Sequence, residues 1–83
     1  MPNKTLLLVD DEISILRSYA RDLRAEHYNV TTASNGEEAI RLLWEDNFNM
    51  IITDLVMPGP SGIEVVRQAK KRNPSICTMV LTG

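Results

Sequence analysis

Carboxylates stand at the ends of two apolar runs in this 83-residue chain. The first run ends in Asp10, which Asp11 and Glu12 follow, the third ends in Asp54, and Thr82 comes directly after the fourth. Clustered carboxylates repel one another, and a hard divalent cation such as Mg²⁺ removes that penalty. An aspartate held beside Mg²⁺ can attack a phosphoryl group and form an acyl phosphate. These residue types therefore indicate magnesium-dependent phosphoryl chemistry, provided that the fold brings them together.

The four apolar runs are predicted to be strands. The first is a continuous apolar block, which is typical of a strand buried on both faces of a parallel sheet. The second is rich in β-branched residues, which favour strands. We predict strands at residues 5–10, 29–33, 49–54 and 76–81.

Segments of helical period separate these strands. From Ile13 to about Glu26, apolar residues recur at spacings of three and four, which predicts an amphipathic helix. Capping-box patterns indicate the starts of two further helices, at Ser34 with Glu37 and at Ser61 with Glu64. Alternating strands and helices are typical of a parallel sheet with helices on both faces. Ligands bind beyond the carboxyl ends of such strands, so the carboxylates would converge if the first and third strands are neighbours.

Four segments of the chain resemble the receiver domain of two-component response regulators. They are Leu7–Glu12, Ala33–Ala39, Asp54–Gly59 and Leu81–Gly83. Their order and spacing cover essentially the whole chain. The resemblance implies an α/β fold with a flavodoxin-like, doubly wound parallel sheet of strand order 2-1-3-4, truncated after the fourth strand. Residues 1–83 would form one receiver (phosphoacceptor) domain, or its N-terminal two thirds.

The resemblance also implies a role for each candidate residue. Asp54 would accept a phosphoryl group from a sensor histidine kinase or a phosphotransfer protein, and Thr82 would be the switch hydroxyl beside that group. Mg²⁺ would be bound by Asp11, by Asp54 and by the backbone carbonyl of Val56, with Asp10 acting chiefly through water. The domain would switch a protein interface and assist its own phosphoryl transfer without being a stand-alone enzyme.

The chain departs from the family pattern at two places. Pro60 stands where the family usually has Met or Leu, so we expect a stiffer loop after Asp54. The family continues with a fourth helix, a fifth strand that ends in a lysine, and a fifth helix. None of Lys4, Lys70 and Lys71 stands at a matching strand end, and we therefore expect the chain to lack the family's C-terminal third.

Simpler structural interpretations exist for some of these residues. Asp10 and Asp11 could cap the first helix, since acidic residues favour the positive end of the helix dipole. Gly59 and Gly62 are most simply turn residues that supply unusual backbone angles.

Two other functions stay open at this point. An incomplete sheet could form a homodimer through its exposed fourth strand, which would make the chain a phosphorylation-independent interaction module. A phosphatase of the haloacid dehalogenase type would also use an aspartyl phosphate. Those enzymes usually carry a second aspartate two residues after the nucleophile, where this chain has Val56.

Composition argues against several further classes. Nine basic and eleven acidic residues give a net charge of −2, which disfavours direct nucleic-acid binding. The single cysteine, Cys77, excludes an internal disulfide framework and a cysteine-built metal cage, and we expect it to behave as a small apolar residue. The apolar runs are far too short to span a bilayer. We expect a cytoplasmic protein of one domain.

Overall fold

The computed structural model describes residues 4–81, which alternate between strand and helix as the apolar runs predict. The elements are β1 (Thr5–Val9), α1 (Ile13–Ala25), β2 (Asn29–Ala33), α2 (Gly36–Glu45), β3 (Met50–Asp54), α3 (Gly62–Arg72) and β4 (Cys77–Leu81). Three strands are one residue shorter than predicted, because Asp10, Asn49 and Ile76 lie just outside the sheet. Among the described helices, none is long and apolar enough to cross a membrane.

The four strands form one sheet in the order β2-β1-β3-β4, and each neighbouring pair is parallel. The predicted order is therefore confirmed. β1 lies between β2 and β3, and its residues Leu6 to Val9 are fully buried. A strand enclosed on both faces has no solvent side, which explains its unbroken apolar sequence.

Side chains of β1 alternate between two cores on opposite faces of the sheet. Leu7 and Val9 belong to a larger cluster that includes residues of α2 and α3, among them Leu43 and Val65. Leu6 and Leu8 belong to a smaller cluster with Leu16 and Ala20 of α1. Successive strand residues point to opposite faces, so one apolar run anchors helices on both sides. This packing fixes the position of the loop that leads from β1 into α1.

The start of α2 differs from the prediction by one residue. Asn35 is the N-cap, and its Oδ1 accepts a hydrogen bond from the N–H of Glu38 at 2.8 Å. The Oε1 of Glu38 accepts from the N–H of Ser34 at 2.9 Å. The predicted pair of Ser34 with Glu37 is therefore wrong, since asparagine caps as well as serine and Glu38 occupies the third helical position.

The start of α3 agrees with the prediction. Ser61 is the N-cap, and its Oγ accepts from the N–H of Glu64 at 3.4 Å. The Glu64 side chain does not complete the reciprocal half of the box, because it accepts hydrogen bonds from Arg67 and Gln68.

The expectation for Cys77 is wrong: this residue is exposed, because β4 has only β3 as a partner within the described residues.

Candidate functional site

The carboxyl ends of β1 and β3 lie side by side. The two strands pair with Val9 opposite Thr53, so Asp10 and Asp54 leave the sheet at the same edge. Asp10, Asp11 and Asp54 each offer a carboxylate oxygen, and these oxygens all lie within 4.8 Å of one another. Asp10 is buried, Asp54 is half-buried and Asp11 is exposed. β1 and β3 are neighbours, which is the condition for convergence stated above, and the structure thus brings the three carboxylates together.

Asp10 also has a structural contact at the start of α1. Only 5% of this residue is exposed, and its Oδ1 accepts a hydrogen bond from the N–H of Glu12 at 2.9 Å. Glu12 is the N-cap residue of α1, and its own side chain makes no capping hydrogen bond. The turn before α1 therefore depends on Asp10. The same residue both supports the start of the helix and belongs to the acidic cluster.

Asp54 is oriented by the residue that follows it. Its Oδ1 accepts a hydrogen bond from the N–H of Leu55 at 2.8 Å. The same N–H also donates to the carbonyl oxygen of Leu81 at 3.2 Å, which ties the end of β3 to the end of β4. The carboxylate is thus held to the backbone at the edge of the sheet.

The residues of this cluster suit a hard divalent cation. The ion pairs among the described residues are Arg21–Asp22, Arg41–Glu45 and Arg67–Glu64, so no basic side chain within residues 4–81 neutralises the three carboxylates. Oxygen ligands from one or two carboxylates, supplemented by water, are what Mg²⁺ prefers. An open cavity of about 380 Å³ gives water and small ligands access to all three carboxylates.

The wall of this cavity includes two residues of α1, Ile15 and Tyr19, to which the sequence pattern assigns no role at the site. Glu12, Ile15 and Tyr19 line it from the side of α1, and Leu81 lines it from the end of β4. The helical spacing of Ile15 and Tyr19 could have placed both on one face of α1, but that spacing does not reveal which neighbour the face meets.

Comparison with known sequences decides the family. A profile of the response regulator receiver domain matches residues 6–83 of the chain. The chain belongs to this family. The resemblance that the motifs carry is thereby confirmed.

Three relatives illustrate the similarity. The transcriptional regulatory protein ResD of Bacillus subtilis is 41% identical over 75 residues, which make up 90% of this chain and 31% of ResD. A CheY-like receiver domain protein from Methanospirillum hungatei has a TM-score of 0.94 at 31% identity, over 98% of this chain and 65% of that one. The response regulator TrrA from Thermotoga maritima, solved in complex with Mg²⁺-BeF, has a TM-score of 0.89 at 38% identity, over 95% of this chain and 69% of that one. This chain spans about a third of ResD and about two thirds of the two solved chains.

The receiver motif includes two further residues, Val56 and Thr82. Val56, two residues after Asp54, is 77% exposed in the loop between β3 and α3. Thr82 lies outside the described residues. Leu81, which precedes it, pairs with Asp54, so β4 ends at the same edge of the sheet as the carboxylates.

The loop after Asp54 packs against the start of α2. A Cβ atom added to Gly36 would meet the carbonyl oxygen of Pro60 and would lie 3.0 Å from the Cβ of Pro60. Pro60, the departure from the family pattern, is half-buried at this contact. Gly59 has a φ of 75°, as expected for a turn glycine.

Gly62 is a site residue whose role the sequence does not disclose. Gly59 is the described glycine with a positive φ, so the prediction of an unusual backbone angle is wrong for Gly62. The space around Gly62 explains the glycine, because a Cβ there would lie 2.9 Å from the Cα of Leu55.

Proposed function

We propose that this receiver domain accepts a phosphoryl group on Asp54 from a sensor histidine kinase or a phosphotransfer protein, with Mg²⁺ bound beside it. The observation that carries the proposal is the convergence of three carboxylates at the carboxyl ends of β1 and β3 without a basic partner among residues 4–81. The charge of the phosphoryl group would then change an interface with another protein, because a local change of charge can shift a protein between two arrangements.

The transfer converts the carboxylate of Asp54 into an acyl phosphate. A carboxylate oxygen attacks the phosphorus of a phosphohistidine, an O–P bond forms and the P–N bond breaks, with its electron pair retained by the imidazole nitrogen. The hydrogen bond from Leu55 to Oδ1 holds the carboxylate in one orientation for this attack. In our proposal Thr82 supplies the hydroxyl that binds the transferred group.

Mg²⁺ in this proposal is held by Asp11, Asp54 and the carbonyl of Val56, with Asp10 acting through water. When bound, the ion would neutralise charge on the oxygens of the transferring phosphoryl group. The exposure of Asp11 and the burial of Asp10 support this division of labour, because an exposed carboxylate reaches a solvated ion more easily. TrrA, a relative with 38% identity, has been solved with Mg²⁺-BeF, which supports magnesium at the corresponding site here.

The site favours a switch over a stand-alone phosphatase. The exposed, apolar Val56 stands where a phosphatase of the haloacid dehalogenase type usually has its second aspartate, and valine can neither donate nor accept a proton. We therefore propose a cytoplasmic signalling domain, formed by residues 1–83, that has protein partners and no direct contact with nucleic acid or membrane.

Intact-mass spectrometry tests the acceptor. The protein is incubated with Mg²⁺ and acetyl phosphate, beside the variants Asp54→Asn and Asp22→Asn. We expect the wild type and Asp22→Asn to gain one phosphoryl group and Asp54→Asn to gain none, because Asp22 is an exposed aspartate outside the cluster. A gain that persists in Asp54→Asn would overturn the assignment of the acceptor.

A second candidate function is homodimerisation through β4, independent of phosphorylation. Within the described residues β4 pairs only with β3, and Met79 on this strand is 52% exposed. An exposed strand edge can pair with another chain, and a lysine on the edge opposes such pairing.

Light scattering tests the dimer with a matched pair of variants. We expect Met79→Lys to lower the molar mass from dimer to monomer, and Asp54→Asn to remain dimeric. Ile63→Lys is the control, since Ile63 is 53% exposed and lies in the first turn of α3, outside β4. A wild type that is monomeric over the whole concentration range would exclude this function.

A further inference from the structure

The first turn of α3 lies against the backbone of the proposed acceptor. Gly62 is the first residue of this helix and is buried. Its N–H donates to the carbonyl oxygen of Leu55 at 2.9 Å. A Cβ added to Gly62 would meet the carbonyl oxygen of Asp54 and would lie 3.0 Å from the Asp54 carbonyl carbon and 2.9 Å from the Cα of Leu55.

Backbone atoms form this contact, so a side chain at position 62 could not be accommodated by a change of rotamer. Either α3 or the Asp54–Leu55 segment would have to move, and β3 holds that segment in the sheet. Protein interiors are close-packed and transmit such displacements to their neighbours. The glycine is therefore needed for space at the acceptor, and its backbone angle is not the reason.

Leu55 connects Gly62 to the carboxylate through two adjacent peptide groups. Its carbonyl oxygen accepts from Gly62, and its N–H donates both to Oδ1 of Asp54 at 2.8 Å and to the carbonyl oxygen of Leu81 at 3.2 Å. A displacement of Leu55 by a side chain at position 62 would thus change the orientation of the Asp54 carboxylate.

We infer that Gly62 is a positioning residue for Asp54: by leaving space for the backbone, it sets the orientation of the acceptor carboxylate towards Mg²⁺ and the phosphoryl donor. This inference rests on the proposed function. Gly62 acts through Leu55 and touches neither the metal nor the phosphoryl group. Mutation of residues that orient metal ligands typically lowers metal affinity or activity by about 10-fold to 100-fold.

The test compares Gly62→Ala with Ala69→Gly in the same helix. Ala69 is fully buried in the last turns of α3, and its replacement by glycine destabilises the helix without touching the cluster. Urea unfolding measures the stability of both variants, titration followed by the Leu55 amide resonance gives the Mg²⁺ dissociation constant, and mass spectrometry gives the rate of phosphorylation by acetyl phosphate. We expect Gly62→Ala to raise the Mg²⁺ dissociation constant by about tenfold or more, and Ala69→Gly to leave it unchanged.

Each outcome separates the positioning inference from the proposed function. If the wild type is phosphorylated and Gly62→Ala binds Mg²⁺ as well as Ala69→Gly does, the positioning role is wrong and the function stands. If the wild type binds Mg²⁺ but gains no phosphoryl group, the function fails, and the two dissociation constants still decide the role of Gly62. A wild type that neither binds Mg²⁺ nor gains a phosphoryl group overturns both.

A measurement on the wild type alone covers the case in which Gly62→Ala does not fold. Hydrogen exchange is followed at the amides of Gly62 and Leu55 before and after Mg²⁺ is added. We expect Mg²⁺ to slow exchange at both amides by a larger factor than at the Cys77 amide, because Leu55 links them, whereas Cys77 at the opposite end of the sheet reports only the general stabilisation by the ligand. Exchange that slows at Leu55 more than at Cys77, but at Gly62 no more than at Cys77, would overturn the inference.

Discussion

Polar side chains serve the backbone at the amino end of the strands, whereas at the carboxyl end they gather around an open cavity. At the amino end, Oδ1 of Asn49 accepts from the N–H of Thr5 at 2.9 Å, and Nδ2 of Asn73 donates to the carbonyl oxygen of Phe48 at 3.3 Å. Nζ of Lys70 donates to the carbonyl oxygen of Ile76 at 2.8 Å. These contacts join β1, β3 and β4 to their loops.

The carboxyl end of the sheet also carries polar side chains, but there they are carboxylates of like charge. Asp10, Asp11 and Asp54 lie close together, and none of them has a basic partner among residues 4–81. Like charges held together destabilise a fold unless a ligand compensates. One end of the sheet therefore stabilises the fold, and the other retains an electrostatic penalty that a cation can relieve.

Binding of Mg²⁺ at the carboxyl end should change the free energy of unfolding more than any of the substitutions below. At a concentration of ~100 times its dissociation constant, it should raise the free energy of unfolding by about 2.7 kcal/mol, because a ligand that binds only the folded state stabilises it by mass action. Asp11→Asn should lose most of this gain and Asn49→Ala should keep it. Urea unfolding with and without Mg²⁺ measures both, and an undiminished gain in Asp11→Asn would mean that the ion binds elsewhere.

Asn49→Ala should lower the free energy of unfolding by about 1 kcal/mol, because the N–H of Thr5 loses its side-chain partner at the start of β1. Its Mg²⁺ dissociation constant should not change. Asn47→Ala is the matched control: Oδ1 of Asn47 accepts from the Arg72 side chain, which water can replace, so its loss should be smaller. A fall in Mg²⁺ affinity in Asn49→Ala would show that the two ends are coupled.

The strands and the acidic residues at their ends could be predicted from local features of the sequence, whereas the order of the strands followed only from the resemblance to the receiver family. Continuous apolar blocks mark strands buried on both faces, and acidic residues directly after such strands must lie at one edge of a parallel sheet. The register of Val9 opposite Thr53 then brings Asp10 beside Asp54. The start of α2 differs from the prediction by one residue, because Ser34 with Glu37 and Asn35 with Glu38 satisfy the same capping pattern.

Features that depend on a neighbouring element could not be predicted. Cys77 is exposed because of the position of β4 in the sheet, although its sequence context is apolar. The need for glycine at position 62 arises where α3 meets the backbone of Asp54, and no periodicity encodes such an approach. The residue types at the site could thus be predicted from the sequence, whereas the contacts that hold its carboxylates depend on tertiary packing.

Asp11→Asn should have the smallest effect on the free energy of unfolding, and the sign of that effect shows whether the Asp11 carboxylate stabilises or destabilises the fold. Without Mg²⁺, this variant should be more stable than the wild type by about 0.5 kcal/mol, because removal of one exposed charge reduces repulsion within the cluster. The gain, measured by urea unfolding in a chelator, should shrink as added salt screens the charges. Asp22→Asn is the control, since Asp22 lies 3.4 Å from the Arg21 guanidinium and its replacement removes an attraction. A loss of stability in Asp11→Asn without Mg²⁺ would mean that this carboxylate supports the fold, and the contrast between the two ends would then have to be withdrawn for Asp11.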